Sequence, residues 1–371
     1  MNMRFCVPTL FGLEGPVGDE LRHMGIADVR PENGRVCFSG TADDLAKASI
    51  RLRCGERVLL ELGRFRAETF DMLFEGTKAL AWEQFIPKDG AFPVKGHSLT
   101  SALHSIPDCQ RIIKKAVAAR LGEKYGSSWL AETGAVYQIQ FAIMKDEAVL
   151  YLDTSGVGLH KRGYRPAAVA APLRETLAAA MVGLARYRGK GDFCDPFCGS
   201  GTIAIEAALA AKNRAPGISR SFAAEKWPVI PESAWRRARQ EALEGEFNGE
   251  YSILASDIDP KAIELARKNA ERAGVEKLIR FEVADATAFS RKTERGVIVT
   301  NPPYGERLME KQEAERLYQG FGTALRGAEN WKLYLLSSHT EFERTFGKQA
   351  GKKRKLYNGM IKCDLYMYDT L

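Results

Sequence analysis

The 371-residue chain lacks the features of secreted, membrane-spanning and metal-binding proteins. Its seven cysteines include no CxxC pair, and an odd number fits neither a disulfide framework nor a zinc ribbon, so we expect a reducing cytoplasm. No stretch approaches about eighteen uninterrupted apolar residues, and the first residues carry no charged segment followed by an apolar run, so we expect neither a membrane span nor a leader. The five histidines show no ligand spacing, and we expect no bound metal.

The chain also has little excess charge of either sign. Lys and Arg outnumber Asp and Glu by 54 to 47, with 22 against 20 over residues 1–165 and 32 against 27 over residues 166–371. Neither part is a polycationic tail, so any contact with nucleic acid must come from local patches. The run Lys348–Lys355 is one candidate patch, although a solvated turn has the same composition.

The length and an apolar content of 45% predict more than one domain. Over residues 1–165 short β-rich runs alternate with amphipathic segments, which is typical of small α+β sheet domains. The predicted strands are Arg4–Val7, Arg35–Ser39, Arg57–Phe65, Ala91–Lys95, Val136–Met144 and Ala148–Asp153, and the predicted helices are Gly15–Met24, Ala42–Leu52, Phe70–Gln84 and Pro107–Leu121. Residues 156–171, rich in glycine and arginine, are interpreted as a linker.

From Leu173 onward strands and helices alternate in the manner of a doubly wound, mostly parallel α/β sheet. The predicted strands are Asp192–Asp195, Tyr251–Ser256, Ile279–Val283, Gly296–Thr300 and Lys332–Ser337. Helices are predicted at Leu173–Tyr187, Thr202–Lys212, Pro260–Ala273 and Glu313–Leu325, with a long insertion over Asn213–Asn248. This pattern assigns the catalytic domain to residues 172–371.

A glycine-rich loop, Asp195-Pro-Phe-Cys-Gly-Ser-Gly-Thr202, joins the first of these strands to an alanine-rich helix. Its two glycines let the backbone turn sharply and let a ligand approach without meeting a Cβ. A dinucleotide fingerprint would require an acid about 20 positions further on, whereas the first acid that ends a strand is Asp257. Asp195 would also repel a pyrophosphate, so a ligand that carries an amino group fits better.

Three carboxylates, Asp195, Asp257 and Asp285, follow successive predicted strands and therefore outline one crevice. Aspartate is also a common cap at such positions, so each alone is weak evidence. Together they fit S-adenosylmethionine (SAM), with Asp195 near its amino-acid end, Asp257 at the ribose hydroxyls and Asp285 near the adenine amine.

The run Asn301-Pro-Pro-Tyr304 follows the apolar strand Val297–Thr300. A purine amine is a poor nucleophile because its lone pair is delocalised into the ring. The Asn301 side-chain oxygen and the Pro302 carbonyl can each accept one N–H of that amine, and Tyr304 offers a face for an extruded base. A rigid turn with an incidental aromatic is the structural alternative. Cys194 and Cys198 lie away from this loop and are interpreted as packing residues.

The glycine-rich loop and the run after the apolar strand Val297–Thr300, extended to Asn301-Pro-Pro-Tyr-Gly-Glu-Arg307, are two of four motifs that resemble the THUMP-containing guanine-N2 RNA methyltransferases, in particular the bacterial 23S ribosomal RNA enzymes. The other two are Leu159-His-Lys-Arg-Gly-Tyr-Arg165 and Ala215–Phe222 through Lys226-Trp227. The resemblance covers nearly the whole chain. It implies a ferredoxin-like domain over residues 1–54, an RNA-binding THUMP domain over residues 55–155 and a Rossmann-like, SAM-dependent methyltransferase domain. The implied cofactor residues are Asp195, Phe197, Gly199, Gly201, Thr202, Asp257, Ile258, Asp285, Ala286 and Asn301, and the implied catalytic residues are Asn301, Pro302 and Tyr304.

The expected partner is RNA, either 23S ribosomal RNA or a pre-ribosomal particle. Seven cations are predicted to contact it: Arg111, Lys114, Lys115 and Arg120, which could line one helical face, and Lys161, Arg162 and Arg165 in the linker. Guanine-N2 methylation of transfer RNA is the alternative reaction, and a non-catalytic ribosome-assembly factor is the alternative class. A DNA adenine-N6 enzyme would share Asn-Pro-Pro-Tyr, but the THUMP-like half argues against it.

Overall fold

The computed structural model describes residues 2–165, 173–290, 293–304 and 311–371, and two seven-stranded sheets organise them. The first sheet has the order β2-β3-β1-β4-β7-β6-β5. Its strands are β1 Met3–Pro8, β2 Arg30–Glu32, β3 Arg35–Gly40, β4 Leu59–Arg66, β5 Val94–Leu99, β6 Ile139–Met144 and β7 Glu147–Asp153. Strand β4 pairs with β1 on one side and β7 on the other, so the predicted ferredoxin-like and THUMP regions share one backbone-bonded sheet.

Four helices cover this sheet: α1 Glu14–His23, α2 Ala42–Arg51, α3 Phe70–Ala79 and α4 Ile106–Tyr125. The prediction of one helix over Phe70–Gln84 is wrong beyond Ala79, because Leu80 has an extended backbone and a separate 3₁₀ turn spans Trp82–Gln84. The buried Trp82 indole donates to the Thr77 carbonyl at 2.8 Å, which ties the turn back onto α3.

The second sheet has the order β10-β9-β8-β11-β12-β14-β13. Its strands are β8 Asp192–Asp195, β9 Ser252–Asp257, β10 Ile279–Val283, β11 Gly296–Thr300, β12 Trp331–Ser337, β13 Lys352–Asn358 and β14 Ile361–Tyr368. The first five strands in this order are parallel, which confirms the predicted Rossmann-like α/β class. The antiparallel pair β13–β14 was not predicted. The solvated-turn interpretation of Lys348–Lys355 is wrong for the second half of the run, because Lys352 begins the edge strand β13.

The helices of this half are α5 Glu175–Leu184, α6 Thr202–Ala211, α7 Glu232–Glu244, α8 Pro260–Arg272, α9 Lys311–Ala324 and α10 Phe342–Phe346. Every residue of α6 is buried. Helix α7 belongs to the predicted insertion, in which Trp227 stacks on Tyr137 at 4.9 Å and donates to the Val136 carbonyl at 3.1 Å. The insertion therefore fastens the two halves together. Of the helices described, none has the length and apolar composition that crossing a membrane requires.

Candidate active site

Parallel strands bring the predicted site residues to one edge of the second sheet. Strand β8 ends at Asp195, β9 at Asp257, β10 at Val283 and β11 at Thr300. Strands β9 and β10 lie on one side of β8, whereas β11 and β12 lie on its other side. The direction in which successive strands are added therefore reverses between β8 and β11. A crevice at the carboxyl ends of such a reversal is the usual ligand site of an open α/β sheet.

The glycine loop after β8 combines one tight contact with one open position. Gly201 has φ +82°, and a Cβ there would lie 2.9 Å from the Ala266 Cβ on α8. Gly199 has φ +50°, and a Cβ there would meet nothing within 4 Å. Gly201 is thus required by packing against α8, whereas Gly199 leaves its backbone open to a ligand. This is the arrangement that a closely bound ligand needs.

Asp257 supports the loop from the neighbouring strand. Its two carboxylate oxygens accept the backbone N–H of Gly199 at 2.9 Å and of Asp259 at 3.0 Å. Each oxygen keeps a lone pair for a hydroxyl donor. The next residue, Ile258, is 69% exposed at the same edge and offers an apolar surface beside the carboxylate.

The loop after β10 adds a second apolar and acidic pair. Val283 is exposed, and Asp285 caps a short 3₁₀ turn by accepting the backbone N–H and the hydroxyl of Thr287, both at 2.8 Å. Ala286 behind it is buried. Ile258 and Asp285 therefore bound the crevice on the side of β9 and β10.

Asp195 is a buried carboxyl group with one oxygen unsatisfied. Its Oδ1 accepts the Thr300 hydroxyl at 2.7 Å, whereas Oδ2 has no hydrogen-bond partner among the residues described. Burial raises the pKa of this carboxyl to about 7, and the Thr300 hydrogen bond opposes that rise. An unmatched buried acceptor is costly unless a ligand donor satisfies it. This atom, next to the open Gly199 backbone, is an acceptor available to a donor on a ligand.

Two other predicted cofactor residues contact neighbouring side chains of the protein. The half-buried Phe197 packs edge-on against Phe321 at 5.2 Å. Thr202 is buried at the start of α6, and its hydroxyl accepts from Arg165 at 3.2 Å. Both side chains hold the glycine loop in place.

The base loop, Asn301–Tyr304, follows β11 directly. The Tyr304 hydroxyl donates to Asn301 Oδ1, and the Pro303 carbonyl accepts the Tyr318 hydroxyl at 2.6 Å. Tyr304 is half-buried, with its hydroxyl beside the side chains of Asn358 and Cys363, and burial raises its pKa well above the ordinary value. The rest of the predicted motif, Gly305 to Arg307, lies outside the described residues.

The predicted RNA-contacting cations of α4 do not form one free face. Arg111 and Lys115 are exposed, and Arg111 pairs with Asp108. Two others turn toward carboxylates: Lys114 to Glu132 at 2.5 Å and Arg120 to Glu83 at 2.6 Å. Of the four predicted cations, Arg111 and Lys115 are therefore the ones exposed to solvent, and Lys115 alone of these four has no carboxylate within 4 Å among the described residues.

The linker cations are divided in the same way. Lys161 is exposed, whereas Arg162 is buried, with its guanidinium 3.4 Å from Glu206 and 2.6 Å from the Leu159 carbonyl. Arg165 pairs with Glu175 at 2.6 Å. The prediction that Arg162 and Arg165 face RNA is therefore corrected: both side chains attach the linker to the catalytic domain.

Two contributors to this site escaped the sequence analysis. Thr300 binds Asp195, and Glu206 is the buried partner of Arg162. Glu206 does leave a signal, since it is the one charged residue of the alanine-rich helix α6. A carboxylate in such a helix requires a buried cation.

Three parts of the chain match known domains. Residues 162–367 match the RMKL-like methyltransferase domain, residues 4–59 the RlmL ferredoxin-like domain and residues 67–153 the THUMP domain. The resemblance inferred from the motifs is thereby confirmed.

Relatives that match nearly the whole of this chain are also named as methyltransferases. YpsC of Bacillus subtilis, named as a candidate RNA methyltransferase, is 46% identical over 96% of this chain and 93% of its own length. A ribosomal RNA large subunit methyltransferase K/L from Psychromonas ingrahamii is 35% identical over 99% of this chain, which spans about half (50%) of that protein. The solved structure of SMU.472, a candidate methyltransferase in complex with SAH, is 39% identical with a TM-score of 0.94 and covers 99% of this chain and 98% of its own.

Proposed function

Since the chain belongs to the RMKL-like methyltransferase family, we propose that it transfers a methyl group from SAM to the exocyclic N2 amine of a guanine in 23S ribosomal RNA. The observation that carries this proposal is the hydrogen bond between the Thr300 hydroxyl and the Asp195 carboxylate. Their 2.7 Å hydrogen bond ties the glycine loop to the residue that precedes Asn301. The cofactor crevice and the base loop are thus held as one unit.

The crevice supports SAM as the cofactor. When bound, SAM supplies an electrophilic methyl group on a sulfonium. Asp195 Oδ2 would accept from its ammonium and Asp257 from the ribose hydroxyls. The exposed Ile258 would cover one face of the adenine, the buried Ala286 would contact it only through its backbone, and Asp285 would accept from the adenine amine.

The base loop supports an amine as the acceptor. Asn301 Oδ1 and the Pro302 carbonyl would each accept one N–H of the amine, which pulls the nitrogen toward tetrahedral geometry and frees its lone pair. The Tyr304 hydroxyl fixes the Asn301 amide with its oxygen on one side, and that oxygen has a second lone pair for the amine. The Tyr318 bond to Pro303 and the two prolines keep these acceptors in position.

The N-terminal half supports RNA as the substrate, because residues 67–153 match a THUMP domain. The relatives named for the ribosomal large subunit support 23S RNA over transfer RNA as the substrate, and the proposed reaction belongs to the cytoplasm. The proposed phosphate contacts on this side are the exposed Arg111, Lys115 and Lys161.

Two measurements test the proposal. Nucleoside mass spectrometry of ribosomal and transfer RNA, from cells with and without the gene, should show one N2-methylguanosine lost from 23S RNA alone. A loss from transfer RNA would assign the alternative substrate. Calorimetry of SAM binding to the purified protein distinguishes an enzyme from an assembly factor, which has no need of the cofactor.

A further inference from the structure

The β13–β14 hairpin projects past the edge that carries the base loop. In the antiparallel pairing of β12 with β14, Ser337 at the carboxyl end of β12 lies opposite Asp364. The β14 residues before Asp364 therefore extend beyond β12, and Met360 in the connecting turn lies further out. At about 3.3 Å per residue, Met360 stands up to roughly 13 Å past that edge.

The tip of the hairpin is apolar and open. Gly359 has φ +64°, which permits the tight turn after Asn358, and the Met360 that follows is 98% exposed. One exposed methionine is ordinary on a protein surface. Met360 differs in its position, because the hairpin that carries it contacts the loop proposed to bind a nucleobase.

The hairpin is held from two directions. On one side the Tyr304 hydroxyl of the base loop lies beside the side chains of Asn358 and Cys363. On the other side the loop after β1 packs on β13, where the Phe11 ring meets Tyr357 edge-on at 6.0 Å. A Cβ at Gly12 would lie only 2.8 Å from the Lys355 carbonyl. The tip is thus fixed relative to both the base loop and the N-terminal half.

Exposed cations lie along both strands of the hairpin behind its tip. Lys352, Lys355 and Lys362 are exposed, and within the described ranges none lies within 4 Å of a carboxylate, although Lys355 faces Asp364 across the ladder. Lys353 differs, since it pairs with Glu343 at 2.6 Å. An apolar tip with exposed cations behind it on both strands, Lys355 on β13 and Lys362 on β14, complements a base step flanked by phosphates.

We propose that the hairpin tip inserts Met360 into the RNA at the position vacated by the target guanine, while Lys355 and Lys362 contact the flanking phosphates. This proposal rests on the proposed function, because an amine within a base stack reaches Asn301 only after the base is extruded. Apolar side chains wedged between base steps are a recurrent means of stabilising unstacked nucleic acid.

The first test compares Met360→Ala with Leu243→Ala, which truncates another exposed apolar side chain, on α7. The probe is full-length 23S RNA transcript with the modified guanine mapped by mass spectrometry. Met360→Ala should lower the single-turnover methylation rate constant by about tenfold or more at saturating RNA, because unstacking loses its support. Leu243→Ala should keep the parental rate, and SAM affinity should change in neither variant.

The second test places p-benzoylphenylalanine at position 360 and maps its photo-crosslinks on the same transcript. Crosslinks should fall within about two nucleotides of the methylated guanine, the spacing expected of a wedge in its stack. Crosslinks elsewhere, or a parental rate for Met360→Ala, overturn the wedge while guanine methylation stands. A parent protein that methylates no guanine in RNA overturns the proposed function, and this inference with it.

The third test concerns the flanking cations. Lys355→Glu with Lys362→Glu should weaken binding of the transcript and flatten its dependence on salt by about two phosphate contacts. The matched control is Lys277→Glu with Lys332→Glu, an equal charge change at the amino edge of the same sheet. Equal RNA affinities for the two double variants would show that Lys355 and Lys362 do not contact the flanking phosphates.

Discussion

The Tyr304 hydroxyl donates a hydrogen bond to the side-chain oxygen of Asn301 within the base loop. This contact fixes the orientation of an amide that would otherwise rotate, and it directs one acceptor toward the carboxyl edge of the second sheet. Tyr304 also lies beside Asn358 and Cys363 of the β13–β14 hairpin. The two halves of the proposed base site, the loop and the hairpin, therefore meet at this tyrosine.

Asn301→Ala removes one of the two acceptors proposed for the guanine amine. Methyl transfer should fall by roughly 10²–10³, by analogy with the loss of one preorganised hydrogen-bonding group in an oxyanion hole. SAM affinity, measured by calorimetry, should barely change, although Asn301 is also among the predicted cofactor residues, because Asp195, Asp257 and the glycine loop remain. A parental transfer rate in this variant would exclude the positioning role.

Asp195 predicts a pH dependence of cofactor binding. Its pKa is raised to about 7, so its folded-state pKa lies above its unfolded value. For the protein alone, the carboxyl thus contributes stability that is fully present below about pH 4 and is lost as the pH rises through about 7. Binding of an ammonium requires the carboxylate, so SAM affinity should be about tenfold weaker at pH 6 than at pH 8.

Asp195→Asn is the control for that titration, because it keeps the shape and removes the charge. It should bind SAM weakly, with little pH dependence between 6 and 8. If calorimetry gives parental affinity and the same pH profile for this variant, the ammonium contact lies at another residue.

The buried ion pair of Arg162 and Glu206 should contribute to stability rather than to methyl transfer. Arg162→Met removes the paired cation of the buried Glu206 carboxylate, which keeps only the Tyr164 hydrogen bond and the charge of Arg53, and should lower the free energy of unfolding by about 3–5 kcal/mol. Urea denaturation measures this, and the double variant with Glu206→Leu should recover much of the loss. Arg237→Ala, which breaks an exposed pair with Asp43, should cost about 0–1 kcal/mol.

The fourth prediction concerns the contribution of Arg111 and Lys115, on the THUMP domain, to RNA binding. Reversing both charges to glutamate should weaken RNA binding and reduce its salt dependence, while SAM affinity stays constant. Lys114 should contribute less, because its side chain is 36% exposed against 76% for Arg111, although both cations are paired with a carboxylate. A salt titration with the parent and both variants decides: identical slopes would assign RNA docking to other surfaces.

Much of the crevice could be predicted from the sequence because the carboxyl ends of parallel strands meet at one edge. Recognising the strands that end at Asp195, Asp257 and Thr300 was enough to bring the glycine loop and the base loop together. The direction of individual side chains could not be predicted in this way. The linker arginines illustrate this, since Arg162 turns inward to a carboxylate 44 positions away.

The hairpin was missed for a different reason. Its first strand reads as a polar run because an edge strand carries cations on its open side, a common protection against unwanted strand pairing. The Asn358-Gly359 pair, flanked by Leu356 and Ile361, was the available signal for a tight β-hairpin. The contact of this hairpin with Tyr304 joins distant parts of the chain, and no local pattern indicates it.

The most direct test of the central claim is the fate of an isotopic methyl group. The purified protein is incubated with SAM that carries a trideuterated methyl group and with unmodified 23S RNA transcript, which is then digested to nucleosides for mass spectrometry. We predict trideuteromethyl label on the N2 amine of guanosine, at one position, and none with Asn301→Ala on the same time scale. Label in N6-methyladenosine or on a pyrimidine carbon would contradict the account.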